Sequence, residues 1–157
     1  MPSDYLAFCH KAQQQYDTAF HLLTVTYPLA KDPRMLVGVL HNIFSSMEAA
    51  MDAILAYERQ LLLVPYYSDN FKSKFQIFRQ KSALRHNLPH QYLSLMSQLK
   101  LTLELHKRSP MEFIRGGRIV ICDKDYELRT VSPQEVQGYL QQAKEFLAQA
   151  EVVVRRK

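Results

Sequence analysis

Glycine and cysteine are both scarce in this chain of 157 residues. Four glycines are too few for a glycine-rich phosphate loop, or for an all-β fold with many tight turns. The two cysteines, Cys9 and Cys122, belong to no Cys-x-x-Cys or Cys/His cluster, so neither a zinc site nor a disulfide framework is expected. We therefore predict two reduced thiols in a cytoplasmic protein.

Long hydrophobic runs are also missing. The apolar run at residues 61–65 is far too short to cross a bilayer, and residues 1–5 lack the basic and apolar regions of a signal peptide. Hydrophobic residues nevertheless make up 47% of the chain and charged residues 22%, which is typical of an ordered protein. We expect a single domain over residues 1–157 with no membrane partner.

Helical periodicity recurs along most of the sequence. The second pattern is apolar or small around most of its circumference, which places that helix in the middle of a bundle. Prolines are expected to end three of the helices, at Pro28, Pro65 and Pro110. The apolar spacing predicts five helices, over about residues 3–26, 32–64, 71–84, 88–107 and 133–154.

The period changes before the last helix. Residues 118–122 and 126–131 read as two short strands around Asp123-Lys124-Asp125, a β-hairpin. Ser132 and Glu135 then form a capping box, with Pro133 at the first helical position. The predicted fold is an all-α bundle of about five helices with a β-hairpin inserted before the last helix.

Sequence motifs of several enzyme classes are absent. The chain contains no nucleophile elbow, Walker loop, dinucleotide fingerprint or His-Glu-x-x-His, so α/β-hydrolases, common nucleotide enzymes and zincins have no support. No cofactor is expected.

A polar stripe runs along one face of the second predicted helix. Side chains at these spacings point the same way, so a metal or acid–base site is geometrically conceivable. The Glu-x-x-His motif of di-iron bundles is absent, however, and a long amphipathic helix needs a solvated face. We interpret the stripe as that solvated face and expect no metal; its members are His41, Ser45, Glu48, Asp52 and Arg59.

Positive charge is concentrated in the middle of the chain. The net charge is +5, and residues 69–130 contain twelve lysines and arginines against six acidic residues. Such a segment favours phosphates or acidic partners. In the third predicted helix three phenylalanines share one face, which indicates a core face. The candidate nucleic-acid-binding residues lie on the remaining surface of that helix: Lys72, Lys74, Arg79 and Lys81.

A short motif stands between the third and fourth predicted helices. It reads Arg85-His86-Asn87-Leu88-Pro89-His90. An arginine, a polar residue directly after it and a histidine beyond four intervening positions resemble the Arg-x(4–6)-His signature of HEPN domains. Those domains are small helical bundles, many of them metal-independent endoribonucleases, and their motif lies near the start of a late helix. The resemblance covers these six residues and the compatible helical architecture.

The resemblance implies a catalytic site made of Arg85, His86 and His90. Histidine titrates near neutrality and can accept the proton of an RNA 2′-hydroxyl, while arginine offers phosphate a permanent bidentate cation. HEPN enzymes typically pair two motifs across a homodimer, so Arg85 and His90 would act with their symmetry mates. The turn that carries them is expected to be exposed, so truncating either side chain should cost stability no more than about 1 kcal/mol.

Two other functions stay open at this point. One is a non-enzymatic bundle that docks a protein partner. The other is a basic protein that binds RNA through residues 69–130 without cleaving it.

Overall fold

Five helices account for most of the chain in the computed structural model, which describes residues 4–109 and 111–155. This confirms the predicted fold class, a helical bundle with a small β element before the last helix. None of the described helices is both long and apolar enough to cross a membrane. The helices are α1 (Asp4–His21, continued by the π-helical stretch Leu22–Thr26 and the turn Tyr27–Ala30), α2 (Met35–Gln60), α3 (Phe71–Ile77, continued by the π-helical stretch Phe78–Ser82 and Ala83–Arg85), α4 (His90–Arg108) and α5 (Pro133–Val154).

Helix α2 lies at the centre of the bundle. It contacts α1, α3, α4 and α5, and its large apolar side chains, such as Met47, Met51 and Ile54, have no solvent exposure. Small residues at Ala49 and Ala53 are buried as well and allow close approach of neighbouring helices. Burying each large side chain contributes about 1.5–3 kcal/mol, so this central helix supplies much of the stability of the bundle.

The first two helices end at different places from those predicted. Helix α1 passes through Pro28 and stops at Ala30, because the chain widens to a π-helical stretch before a proline that cannot donate a helical hydrogen bond. Helix α2 stops at Gln60, five residues before Pro65. Its terminus is a Schellman-type motif with Leu62 in the left-handed region (φ 60°) and Leu63 N–H donating to the Glu58 carbonyl at 2.9 Å.

Helix α3 ends in the same way. Asn87 adopts the left-handed conformation (φ 56°), and Leu88 N–H donates to the Ala83 carbonyl at 2.9 Å. Asparagine tolerates that conformation better than most residues, so this ending agrees with the local sequence. Pro89 then leads directly into α4, whose first residue is His90. The stop predicted at Pro110 lies outside the described residues.

The β element has three strands, where two were predicted. Strands β1 (Met111–Arg115), β2 (Arg118–Cys122) and β3 (Leu128–Val131) form an antiparallel sheet in that order. Strand β1 was missed because its apolar alternation is incomplete, and β3 begins two residues later than predicted. The N-cap part of the predicted capping box is confirmed, since Ser132 Oγ accepts from Glu135 N–H at 3.2 Å at the start of α5. Glu135 Oε1 accepts a hydrogen bond from the Ser132 hydroxyl at 3.1 Å.

The turn between β1 and β2 consists of two glycines in the left-handed region. Their φ angles are +58° at Gly116 and +75° at Gly117. Both central positions of a type I′ hairpin turn need positive φ, and this turn type matches the twist of the strands. A Cβ added at Gly117 meets no atom within 4 Å, so only backbone strain opposes a side chain there.

Replacing Gly117→Ala is expected to lower the free energy of unfolding by about 1 kcal/mol, because alanine is strained at positive φ. Gly138→Ala is the matched control, since Gly138 is exposed within α5 and also has open space around it. There alanine should raise stability by about 0.5–1 kcal/mol through its helix propensity. Urea denaturation of the two variants measures both effects, and equal effects of the same sign would contradict the turn assignment.

Candidate functional site

Glu58, in the last turn of α2, is a carboxylate with no solvent exposure. Its Oε2 atom accepts a hydrogen bond from Arg85 Nη1 and lies 3.1 Å from His86 Nε2. Arg85 Nη2 also donates to the Leu63 carbonyl at 3.0 Å. We call Glu58, Arg85 and His86 the Glu58 cluster. It joins the C-terminal ends of α2 and α3, so the two Schellman-type endings meet through charged side chains.

Only the carboxylate of the Glu58 cluster is fully buried. The side chain of Arg85 is 32% exposed and that of His86 is 12% exposed. The Oε1 atom of Glu58 is buried and accepts no hydrogen bond within the described part of the chain. Arg85 and His90 are exposed, as expected for this turn, whereas His86 is half-buried. Because Arg85 pairs with the buried Glu58 carboxylate, its truncation is costly even though Arg85 itself reaches solvent.

His90 lies elsewhere, at the start of α4. It borders an open groove between α3 and α4 with a volume of about 320 Å³. Arg79 shares this groove, and its guanidinium stands 6.0 Å from the centre of the Phe75 ring. None of the lining residues carries a carboxylate. We call it the His90 groove, and its lining comprises Phe75, Arg79, His90, Leu93, Ser94, Ser97 and Gln98.

The structure thus divides the motif that sequence reasoning treated as one site. Arg85 and His86 meet on Glu58, whereas His90 shares a groove with Arg79. His86 also borders a separate cleft of about 220 Å³ against α5.

Glu58 was not among the residues predicted from the sequence, although its position in the helical pattern indicates a buried carboxylate. Glu58 follows Met51 and Ile54 at helical spacing on the core face of α2, where a carboxylate needs partners.

The four candidate nucleic-acid-binding residues also differ in position. Lys72, Arg79 and Lys81 are exposed, but Lys74 is buried. The Nζ atom of Lys74 lies 3.0 Å from Asp52 Oδ1, 3.4 Å from Glu48 Oε2 and 3.7 Å from Asp69 Oδ1. The amino group is thereby neutralised inside the bundle and is not part of the accessible basic surface.

Part of the polar stripe on α2 is consequently an ion-pair network rather than a solvated face. Glu48 and Asp52 bind Lys74, and burial raises the pKa of Asp52 to about 6 although Lys74 lowers it. Arg59 lies over two tyrosine rings, 5.1 Å from the centre of Tyr66 and 5.6 Å from that of Tyr67. His41 is exposed, as expected for a solvated position.

No group of three or more histidine, cysteine, aspartate or glutamate side chains in the described ranges has the arrangement of a metal site. Cys9 and Cys122 are both buried free thiols, and burial raises the pKa of Cys9 to about 11. Comparison with protein-family models, curated proteins and solved structures found no match. Inferences about function therefore rest on the geometry of these side chains.

Truncating Arg85→Ala is expected to lower the free energy of unfolding by about 3 kcal/mol, because it leaves the buried Glu58 carboxylate without its cation. Arg79→Ala is the matched control, and its effect should stay within about 0.5 kcal/mol since Arg79 is exposed. Chemical denaturation at neutral pH measures both. Replacing both partners, Glu58→Met with Arg85→Met, should recover part of the loss seen with Arg85→Met alone. Equal stability of Arg85→Ala and Arg79→Ala would show that the cluster is not structural.

The stability that Asp52 contributes is expected to fall as the pH rises. The pKa of Asp52 is higher in the folded protein, at about 6, than its ordinary value of 3.8, so the folded state retains a proton that the unfolded chain has released. This contribution is present in full below about pH 4 and is lost as the pH passes 6. Relative to Asp52→Asn, the wild type should lose about 2 kcal/mol between pH 4 and pH 7. A difference that stays constant over this range, measured by urea denaturation, would contradict the assignment.

Proposed function

We propose that this chain is a HEPN-like RNA-binding domain that cleaves RNA without a metal, with the His90 groove as the reaction site. The observation that carries the proposal is the shared position of His90 and Arg79 in one open groove of about 320 Å³ with no acidic lining residue. Histidine is suited to accept a proton near neutral pH, and arginine to hold a phosphate through two parallel hydrogen bonds.

The proposed reaction is an internal transesterification. The 2′-oxygen of RNA attacks the adjacent phosphorus while its proton passes to His90. Arg79 stabilises the charge that develops on the non-bridging phosphate oxygens. The 5′-oxygen of the next nucleotide leaves and takes a proton from solvent, so the products are a 2′,3′-cyclic phosphate and a 5′-hydroxyl.

In this proposal the Glu58 cluster has a positioning role. Arg85 and His86 hold the turn that precedes His90, and Glu58 anchors that turn to the centre of the bundle. The catalytic role that the family resemblance implies for Arg85 and His86 stays a prediction. So does the homodimer in which motif side chains face their symmetry mates.

The distribution of charge supports an RNA partner. Of the twelve basic residues in the middle segment, only Lys74, Arg85 and Lys100 make a salt bridge within 4 Å in the described ranges. Unpaired surface cations attract a polyanion and make its binding sensitive to salt. The remaining basic residues are Lys72, Arg79, Lys81, Lys107, Arg108, Arg115, Arg118, Lys124 and Arg129.

This charge distribution also favours a second candidate function, RNA binding without cleavage. The two candidates differ only in whether the His90 groove is reactive. An assay that measures binding and cleavage separately therefore decides between them.

Replacing His90→Ala is expected to reduce the single-turnover cleavage rate of a single-stranded RNA by a factor of roughly 10² to 10⁴, because a general base is lost. RNA affinity and melting temperature should change little, since His90 is exposed. His10→Ala on α1 is the matched control, as it also removes an exposed histidine, and it should leave the rate unchanged. Arg79→Lys should lower the rate while keeping the charge, because lysine cannot form the bidentate contact.

The assay is run with excess chelator and again with added magnesium. Cleavage that requires magnesium would contradict the mechanism. Wild-type protein that binds RNA but never cleaves it would leave the second candidate, and absence of both binding and cleavage would refute both.

A further inference from the structure

The three-stranded sheet packs one face against the helices, and the side chains of the edge strands on its other face reach solvent. On the inner face Ile119 and Val131 are buried in the core of the bundle. Glu112 belongs to the same face and contacts His106 Nδ1 at the end of α4. Because side chains alternate along a strand, the neighbours of these residues point outward.

The outer face is defined by the register of the strands. Phe113 lies opposite Val120, which in turn lies opposite Thr130. Met111, Cys122 and Leu128 form the next row, and Arg115 faces Arg118 beside the glycine turn. These side chains form what we call the outer sheet face.

Arg115 and Arg118 are a directly opposed pair of like charges. Their side chains leave the sheet on the same face, and side chains at such positions are about 5 Å apart at Cβ. Like charges directly opposite each other destabilise an antiparallel pair. Neither guanidinium has a carboxylate within 4 Å in the described ranges, so nothing there offsets the repulsion. An anion bound between the two arginines would relieve it through charge-assisted hydrogen bonds.

Beside the two arginines, apolar side chains of the edge strands are accessible, with Phe113 40% exposed and Leu128 64% exposed. On the central strand Val120 is 6% exposed and Cys122 5% exposed, so these two side chains form a buried floor between the edge strands. Phe113 and Leu128 border a shallow depression of about 470 Å³. No carboxylate belongs to its lining, which consists of Phe113, Arg115, Gly116, Arg118, Val120, Leu128 and Thr130.

We propose that the outer sheet face binds single-stranded RNA. Arg115 and Arg118 hold one phosphate between them, and an unpaired base stacks on the exposed ring of Phe113, with Leu128 beside it. In single-stranded RNA each phosphate is followed by a base. On this face the cations Arg115 and Arg118 lie next to the aromatic ring of Phe113, so a phosphate and a neighbouring base can be bound side by side. A duplex buries its bases, so it offers Phe113 no surface for stacking.

This inference rests on the proposed function, because it presumes an RNA partner, but it concerns a different surface. The His90 groove lies between α3 and α4, and none of its residues borders the outer sheet face. The outer sheet face would hold the strand while the groove carries out the reaction. A protein partner is less favoured, because the exposed charges of the face have one sign and stand beside each other.

The test is fluorescence anisotropy with a labelled oligouridine of about twelve nucleotides, which is within the span of small single-strand-binding surfaces. The variant Arg115→Ala/Arg118→Ala should bind at least about 10-fold more weakly, with a salt slope lower by about 0.7 for each phosphate that the variant no longer neutralises. Lys124→Ala/Arg129→Ala is the matched control, because it removes two cations from β3 and the turn before it without touching the lining of the depression. Its affinity should fall less than about 3-fold.

Phe113→Ala should weaken binding by roughly 5- to 150-fold, the range expected when one base can no longer stack. The double arginine variant should melt at the same temperature as wild type or higher, because a repulsion is removed.

Four outcomes would overturn the inference. If wild type binds the oligouridine and the double arginine variant binds it equally well, the outer sheet face is not the site, while the proposed function stands. Tighter binding of a duplex of the same length would contradict base stacking on Phe113. If the double arginine variant binds RNA like wild type but no longer self-associates in sedimentation, the face is a protein contact. If wild type binds no RNA at low salt, the proposed function fails and this inference fails with it.

Discussion

The contact between the buried Glu58 carboxylate and Arg85 joins the central helix of this fold to the helix that leads to His90. Glu58 stands at the end of the central helix, and Arg85 and His86 stand at the end of α3. A carboxylate with no solvent exposure is costly without partners, so the two helix ends have to meet at this point. The turn that follows then delivers His90 to the first position of α4. The place of the His90 groove is therefore tied to an ion pair with a buried carboxylate that does not line the groove.

A second buried ion pair shapes the surface charge. Lys74 is neutralised by Glu48 and Asp52 inside the bundle, and this contact attaches α3 to α2. These two carboxylates of α2 are thus occupied within the bundle. The basic residues from α3 to the sheet have few carboxylates near them and remain on the surface. Most of the basic side chains that the sequence concentrates in residues 69–130 therefore form an accessible basic surface.

The two proposed RNA contacts have different roles. A groove that holds one histidine and one arginine can position a phosphate but offers little area for affinity. An exposed sheet face with an aromatic ring and two adjacent arginines offers affinity but no proton acceptor. Stacking and phosphate contacts tolerate many sequences, so the two proposals together describe binding of unpaired RNA with little base preference.

Local sequence was sufficient for the helices, the N-cap at Ser132 and the second strand, because period, caps and turn residues act between near neighbours. It was also sufficient for the core role of Phe75 and Phe78, which share one helix face and are buried. It could not give the end of α2, where Leu62 takes a left-handed conformation that leucine rarely adopts and that only the surrounding contacts impose. Nor could it tell Lys74 from Lys72, or separate His90 from Arg85, which lie five positions apart but serve different parts of the structure. Those assignments depend on which carboxylates approach from α2, and such partners are brought together only by the tertiary fold.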